Sequence, residues 1–323
     1  MAHPSVTVVV SVYNMGPRLP KAIDCLLEQT CPDFELLIVD DGSTDGSGAV
    51  CDGQGSRDPR IRVIHKENGG LSSARNCGID HANGDFIIFP DPDDWVEPDY
   101  LANLLAQHEA NGTDLEICGH FVTYDDSERQ HNPNAAAQIL DREAALELLM
   151  KPTAFCGFAS TKLYHLDIIR ENALRFDTEL GMAQDLHFAY RYFCLCERIS
   201  YDPKPLYHYY QAGGGVTSTN QLTPRKLSGL KTYEKIAELA HEDHPSVERA
   251  ACGTLFNMSM HDIYLYYDSK MRDQKTLDLL KHNLKTYRSA FFSSDVYSAA
   301  HKALGRLALL SPRLYYLTKR CLS

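Results

Sequence analysis

The 323-residue sequence contains no run of about 18 apolar residues, the length a helix needs to cross a bilayer. Its opening, MAHPSVTVVVSVYN, lacks the basic stretch and small-residue cleavage site of a secretory leader, so the expected location is cytosolic. The ten cysteines include no CxxC pair and no spaced Cys/His set. Cys25, Cys118, Cys194 and Cys196 fall among apolar neighbours, as small core residues do, and free thiols are expected. After the first apolar run, SVYNMGPRL has neither GxGxxG nor GxxxxGK[ST], which argues against a dinucleotide oxidoreductase and a P-loop enzyme. Internal repeats and low-complexity tracts are also missing.

What is present is an ordinary globular composition, 44% hydrophobic and 23% charged, on a chain long enough for one large or two unequal domains. The net charge of -11 hides a division. Residues 1–219 carry 16 Lys and Arg against 33 Asp and Glu, a balance of -17, whereas 220–323 carry 16 against 10, a balance of +6. That sign change marks a change of role and sets the expected boundary between a first domain, 1–219, and a helical C-terminal region, 220–323.

The first hundred residues alternate two periodicities. VTVVVSVY, FELLIVDD, IRVIHKE and DFIIFPD read as buried strands, and RLPKAIDCLLEQ, the segment opening STDGSG, LSSARNCGIDHA and PDYLANLLAQHEA as the helices between and after them. Four strand–helix repeats predict an α/β fold with a mostly parallel, doubly wound sheet. LEICGHFVTYDD adds a strand and DREAALELLM a helix, and 223–310 is helical in pattern. Ligands bind such sheets beyond the carboxyl ends of the strands. Those ends are polar: Ser11, Tyr13 and Asn14; Asp40 to Asp45; Asn68-Gly69-Gly70; and Asp91, Asp93 and Asp94.

The last group is the least expected on stability grounds. Two carboxylates about 4 Å apart repel by roughly 4 kcal/mol at an effective dielectric near 20, so a cation belongs beside them. Each polar group also has a plain structural reading. Asp40-Asp41-Gly-Ser can be a strand-to-helix turn with Ser43 or Thr44 as cap, Arg75 a solvated helix residue, and Asp94, Glu97 or Asp99 an N-cap cluster. Asp99 fits the cap reading well.

Taken in order, SVYN, QT, FELLIVDDGSTDGS, ENGGLSSARNCGI and DFIIFPDPDDW are similar to the nucleotide-sugar domain of family 2 glycosyltransferases, which have the GT-A fold. The resemblance is dense over the first hundred residues and looser to Gln211. It implies that Asp41 accepts the uracil N–H of a UDP-sugar, that Ser11 and Tyr13 hold or stack on the base, with Asn14 and Asn68 alongside, and that Arg75 lies near the nucleotide while Asn76 is structural. It implies further that Asp91, Asp93 and Asp94 bind Mn²⁺ or Mg²⁺, which suit hard carboxylate oxygens, with Asp91 also toward the donor ribose. His208 is a candidate further ligand, with plain packing as the alternative.

STKLYHLDIIRENALRFDTELGMAQDLHF resembles the frame that carries the family's catalytic base. The aligned pair is Gln184-Asp185, which makes Asp185 the candidate base, ionised at neutral pH at a helix start. Gln184 departs from the acidic pair usual there. A base and a leaving group on opposite faces of the sugar imply inversion at the anomeric carbon. YHYYQAGGGVTS resembles the loop that covers the diphosphate, and its three glycines suit a lid. Pro90 and Pro92 are expected to hold Asp91 extended and the acids apart.

The implied activity is single-sugar transfer to a glycan or lipid-linked oligosaccharide of the cell surface. Trp95 is the only Trp, so the QxxRW motif of processive relatives cannot be present. A non-catalytic nucleotide-sugar-binding subunit or sensor, prompted by Gln184, is the alternative. A sugar nucleotidyltransferase lacks its glycine-rich basic loop here. The tail HKALGRLALLSPRLYYLTKRCLS has five basic residues and no acid, so residues 299–323 either lie on an anionic membrane, at the inner face of the plasma membrane, or pack on their own domain. No nucleic-acid partner is expected, and the oligomeric state is open.

Overall fold

In a computed structural model, which describes residues 3–151, 154–211, 221–269 and 273–322, the chain forms two compact units. One comprises Met1–Glu179 and Gln184–Gly213, and the other Leu180–Ala183 and Gly214–Ser323. The expected boundary at 219/220 and the glycine lid at 213–215 lie outside the described residues.

The first unit is built on ten strands: β1 (Val6–Val12), β2 (Phe34–Asp40), β3 (Ile61–His65), β4 (Phe86–Ile88), β5 (Trp95–Val96), β6 (Leu115–Thr123), β7 (Glu128–Gln130), β8 (Gln138–Asp141), β9 (Lys162–His165) and β10 (Arg198–Tyr210). Its helices are α1 (Leu19–Leu27), α2 (Ser47–Gly55), α3 (Leu71–His81), α4 (Tyr100–Asn111), α5 (Arg142–Leu149), α6 (Leu166–Glu171) and α7 (Gln184–Phe193). The sheet order is β3-β2-β1-β4-β9-β6-β10-β5, with β7 against β6 and β8 against β10. β3, β2, β1 and β4 run parallel, as the strand–helix alternation predicts, and so do β6 and β10. Between the two parallel sets β9 runs antiparallel to both β4 and β6.

The two-residue period of a strand sorts the helices between faces. Val6, Val8, Val10 and Val12 of β1 share one apolar core with Leu19, Ile23 and Leu26 of α1, Cys51 of α2 and Leu101 and Leu104 of α4. Val9 faces the other way, onto Gly78 of α3, where a β-carbon would lie 2.4 Å from Val9 Cγ1. On that same face Phe188 of α7 stacks on Phe176, with ring centroids 4.0 Å apart, and meets Phe89 and Tyr164 edge-on. All ten cysteines are free thiols.

The second unit contains α8 (Pro224–Ala240), α9 (Pro245–Asp268), α10 (Gln274–Ser293), α11 (Ala299–Leu310) and α12 (Pro312–Leu322). Pro224, Pro245 and Pro312 occupy first helical positions, where the missing N–H costs nothing. Thr223, Asp273 and Ser298 cap α8, α10 and α11 with side-chain oxygens. The helices bury Leu255, Phe256, Ile263, Leu280, Leu284, Phe291 and Tyr315. Among the described residues no helix is long and apolar enough to cross a membrane.

Candidate active site

The chain leaves β1, β2 and β3 through three laced loops. Asn14, with a left-handed φ of 52°, donates its N–H to Ser43 Oγ at 3.1 Å and accepts Thr44 N–H on Oδ1 at 2.8 Å. Asp40 serves the turn, accepting from Ser43 N–H at 3.0 Å and meeting His65 Nδ1 at 2.8 Å. Asp41 turns instead to the third loop, where it accepts from Gly69 N–H, Gly70 N–H at 2.7 Å and Lys66 Nζ at 2.5 Å. The loops meet this closely because residue 42 is glycine: at φ 73°, a β-carbon would lie 2.9 Å from Asn68 N. At the rim Tyr13 is 48% exposed and Asn68 is exposed. Ser11 is buried, and its hydroxyl has no hydrogen-bond partner among the described residues.

The cation demanded by the acid cluster is Arg75. It lies one turn into α3 with its side chain 2% exposed, and its guanidinium joins Asp91 Oδ1 at 2.9 Å to Asp185 Oδ1. Burial works against the charge on Arg75, but the carboxylates of Asp185 and Asp91 outweigh it and raise its pKa. A planar fork can hold two carboxylates at once, which a Lys ammonium on a flexible stem does less well. Asp185, in the first turn of α7, accepts Ala159 N–H on its other oxygen at 3.1 Å. Asn76 makes two backbone bonds to Phe176, both 2.8 Å, and so is structural.

The three acids after β4 have different environments. Burial pushes Asp91 up to about 6, with Arg75 pulling it back and the charges of Asp185 and Asp93 adding to the rise. Asp93 is raised by burial too, and it lines a cavity of about 500 Å³ with Arg18, Lys21, Trp95, Asp125 and Tyr210. Asp94 lines the same cavity and is also tied to the neighbouring strand. One of its oxygens accepts from Tyr207 Oη at 2.5 Å and the other from Tyr210 N–H at 2.8 Å, so Asp94 secures the loop to β10.

His208 has partners of its own. Tyr207 points its hydroxyl at the acid loop, so the next residue on the strand faces away. The His208 ring stacks between Trp95 and Phe121, and its nitrogens meet Glu97 and Glu128 carboxylates, each at 2.8 Å. Both nitrogens are engaged, and the residue packs. Asp99 is also placed differently from its cap reading: it stands at the N-cap of α4 without a side-chain cap bond, turned to Lys204.

Sequence reasoning missed Tyr207, Lys66 and Lys162. The Tyr207 hydroxyl accepts Asp91 N–H at 3.1 Å while donating to Asp94. Lys162, wholly buried, donates to the carbonyls of Cys156 and Phe158 at 2.5 and 2.8 Å and shapes the loop that offers Ala159 N–H to Asp185. Burial lowers its ammonium to about 8. The KLY frame contained the signal, because a Lys that opens a buried strand must find carbonyls.

Residues 7–172 match the family described as glycosyl transferase family 2. The chain is 35% identical over 217 residues to the uncharacterized glycosyltransferase EpsJ of Bacillus subtilis, covering 66% of this chain and 63% of EpsJ. Among solved structures it resembles S. aureus TarS 1-349 in complex with UDP-GlcNAc, with a TM-score of 0.69 at 18% identity over 97% of this chain and 89% of that one. It also resembles the mannosyltransferase PcManGT from Pyrobaculum calidifontis in complex with GDP-Man and Mn²⁺, with a TM-score of 0.57 at 17% identity, covering 96% and 88%. At these identities the structural likeness establishes the GT-A fold.

Proposed function

Starting from a chain that belongs to glycosyl transferase family 2, we propose that it is an inverting, metal-dependent enzyme moving one sugar from a UDP-sugar to a glycan or lipid-linked acceptor in cell-surface polysaccharide synthesis. The observation that carries this reading is the Arg75 bridge, which ties an acid of the donor-side cluster to the candidate base at the carboxyl end of the sheet.

Each residue then has a task. Tyr13 offers an exposed ring for the base, and Asp41, fixed by Gly69 and Gly70, an acceptor for its N–H. Asp185 has one lone pair used on each oxygen, by Arg75 and by Ala159 N–H, and keeps others for the acceptor hydroxyl. It takes that proton as the hydroxyl oxygen forms its bond to the anomeric carbon. The bond to UDP breaks on the opposite face, and the configuration inverts. Arg75 holds Asp185 in orientation.

The cluster fits a hard divalent cation: Asp93 opens into the cavity, and carboxylate oxygens are the donors such an ion prefers. Asp91 and Asp93 would hold Mn²⁺ or Mg²⁺, which supplies charge to stabilise the departing diphosphate. The TarS complex contains UDP-GlcNAc and the PcManGT complex GDP-Man and Mn²⁺, which supports a nucleotide-sugar donor and a metal for this chain.

Peripheral attachment to the inner face of the plasma membrane belongs to the same proposal. Leu314 and Leu317 of α12 are exposed one turn apart and Leu322 is exposed at its last position, with exposed Arg313 and Arg320 on the same helix.

The test is UDP release with Mn²⁺ and candidate acceptors, comparing wild type with Asp185→Ala. We expect turnover that requires metal and falls at least a hundredfold in the variant. UDP binding seen as a thermal shift, with no turnover above background on any acceptor, would instead establish a nucleotide-sugar-binding subunit.

A further inference from the structure

At the opposite end of the sheet, where β4 and β6 begin, a second polar cluster serves none of the roles above. Glu116 on β6 is completely buried. His108, from the last turn of α4, brings Nδ1 to 3.1 Å from Glu116 Oε1. His165, ending β9, brings Nε2 to 4.0 Å from Glu116 Oε2. The Thr113 carbonyl stands 3.2 Å from the His108 nitrogen and 3.1 Å from the His165 nitrogen.

We propose that His108, His165 and Glu116 form a binding site for a divalent transition-metal ion of the Zn²⁺ class, with the Thr113 carbonyl completing the set. Four ligands about 2.0–2.1 Å from a tetrahedral metal stand about 3.3 Å apart. The two imidazole nitrogens stand 3.2 and 3.1 Å from the Thr113 carbonyl, 3.1 Å from Glu116 Oε1 and 4.0 Å from Glu116 Oε2 respectively, near that edge. Two imidazoles and a carboxylate suit Zn²⁺ and Co²⁺ better than Mg²⁺ or Ca²⁺, which favour all-oxygen sets.

Two further features point to a ligand. Glu116 Oε2 is buried with no hydrogen-bond partner, although a buried polar atom is normally satisfied. The other oxygen is held by the Thr113 hydroxyl at 2.8 Å, an outer-shell bond of the kind that orients a metal-binding carboxylate. Phe86 supports both imidazoles edge-on, at 4.9 and 4.7 Å between centroids. The side chains of His108 and His165 are 29% and 24% exposed, which gives an ion a way in over the buried carboxylate. Such an ion would fasten α4, β6 and β9 together, away from the crevice.

Co²⁺ titration of the full chain tests this, because a tetrahedral site with imidazole ligands absorbs strongly in the visible and an all-oxygen octahedral site only weakly. We expect one equivalent of Co²⁺ to give the intense bands, Zn²⁺ to abolish them, and Asp93→Asn to retain them. Glu116→Gln and His165→Gln should each weaken the binding at least tenfold, with circular dichroism confirming that the variants are folded. If either variant unfolds, His108→Gln, at the most exposed ligand, provides the same comparison. Absence of intense bands in wild type, or bands that survive in every folded ligand variant, overturns the proposal and leaves a hydrogen-bonded cluster only.

Discussion

Arg75 shows how one residue resolves an electrostatic conflict. Removing a partner from a buried ion pair leaves uncompensated charge and costs about 3–5 kcal/mol. Arg75→Met should therefore lower unfolding stability in urea by about that amount at neutral pH and abolish turnover. Asp185→Asn should cost less stability, because Asp91 still pairs with the guanidinium. The need for a cation was legible in FPDPDD, but the pairing was not: Arg75 and Asp185 are 110 residues apart, and Tyr207 and Asp94 are 113. No local period connects such positions. Burial also acts without a partner. Asp262 on α9 is buried, with Oδ2 unsatisfied, and burial pushes its carboxyl up to about 7 against the weaker pull of Lys226. A carboxyl raised in the folded state gives stability that is full below its unfolded pKa and lost as pH rises through the folded one. Unfolding free energy in wild type should accordingly fall between about pH 4 and 7, by at most about 1.4 kcal/mol per pH unit from this group. Asp262→Asn should flatten that slope, and an unchanged slope would assign it to other groups.

Among the elements, the parallel strands and their helices were readable because each apolar run has one period and a clear end. The strands that complete the sheet were not. β5 has two residues and β9 four, too few to show an alternation, and β9 gains its place through antiparallel pairing on both sides. The position of α3 depends on a glycine whose role the sequence does not show. Replacing Gly78 by Ala gains up to about 1 kcal/mol of helix propensity. The new methyl, 2.4 Å from Val9 Cγ1, would force α3 off β1, and such overpacking costs about 1–3 kcal/mol. The crowding outweighs the propensity, so Gly78→Ala should be destabilised by about 1 kcal/mol or more in urea. Because α3 also carries Arg75, turnover should fall further than stability accounts for, since a misplacement of about 1 Å can cost a hundredfold. Unchanged turnover in a destabilised variant would show that the Arg75 bridge tolerates movement of its helix.

For the molecule as a whole, net charge and charge distribution make opposite predictions. A chain at -11 should avoid an anionic bilayer, yet residues 220–323 carry +6 and end in a helix with an exposed leucine row. Surface attraction acts over a Debye length, about 8 Å at physiological salt, so the basic residues beside the bilayer decide binding rather than the net charge of the chain. α12 buries Tyr315 and Tyr316, so the exposed Leu314 and Leu317 are a surface and not an unfolded core. The full chain should float with vesicles containing anionic lipid and not with neutral ones, and salt near 0.5 M should release most of it, on the order of what a few lost Lys/Arg contacts of about 1 kcal/mol each imply. Leu314→Gln with Leu317→Gln should weaken binding at low salt without changing the melting temperature, because neither side chain is buried. Arg313→Gln with Arg320→Gln should do so chiefly through the salt-sensitive part. If wild type stays at the bottom of the gradient with anionic vesicles, the leucines and the positive charge have another purpose, and the acceptor must reach the crevice without help from the tail.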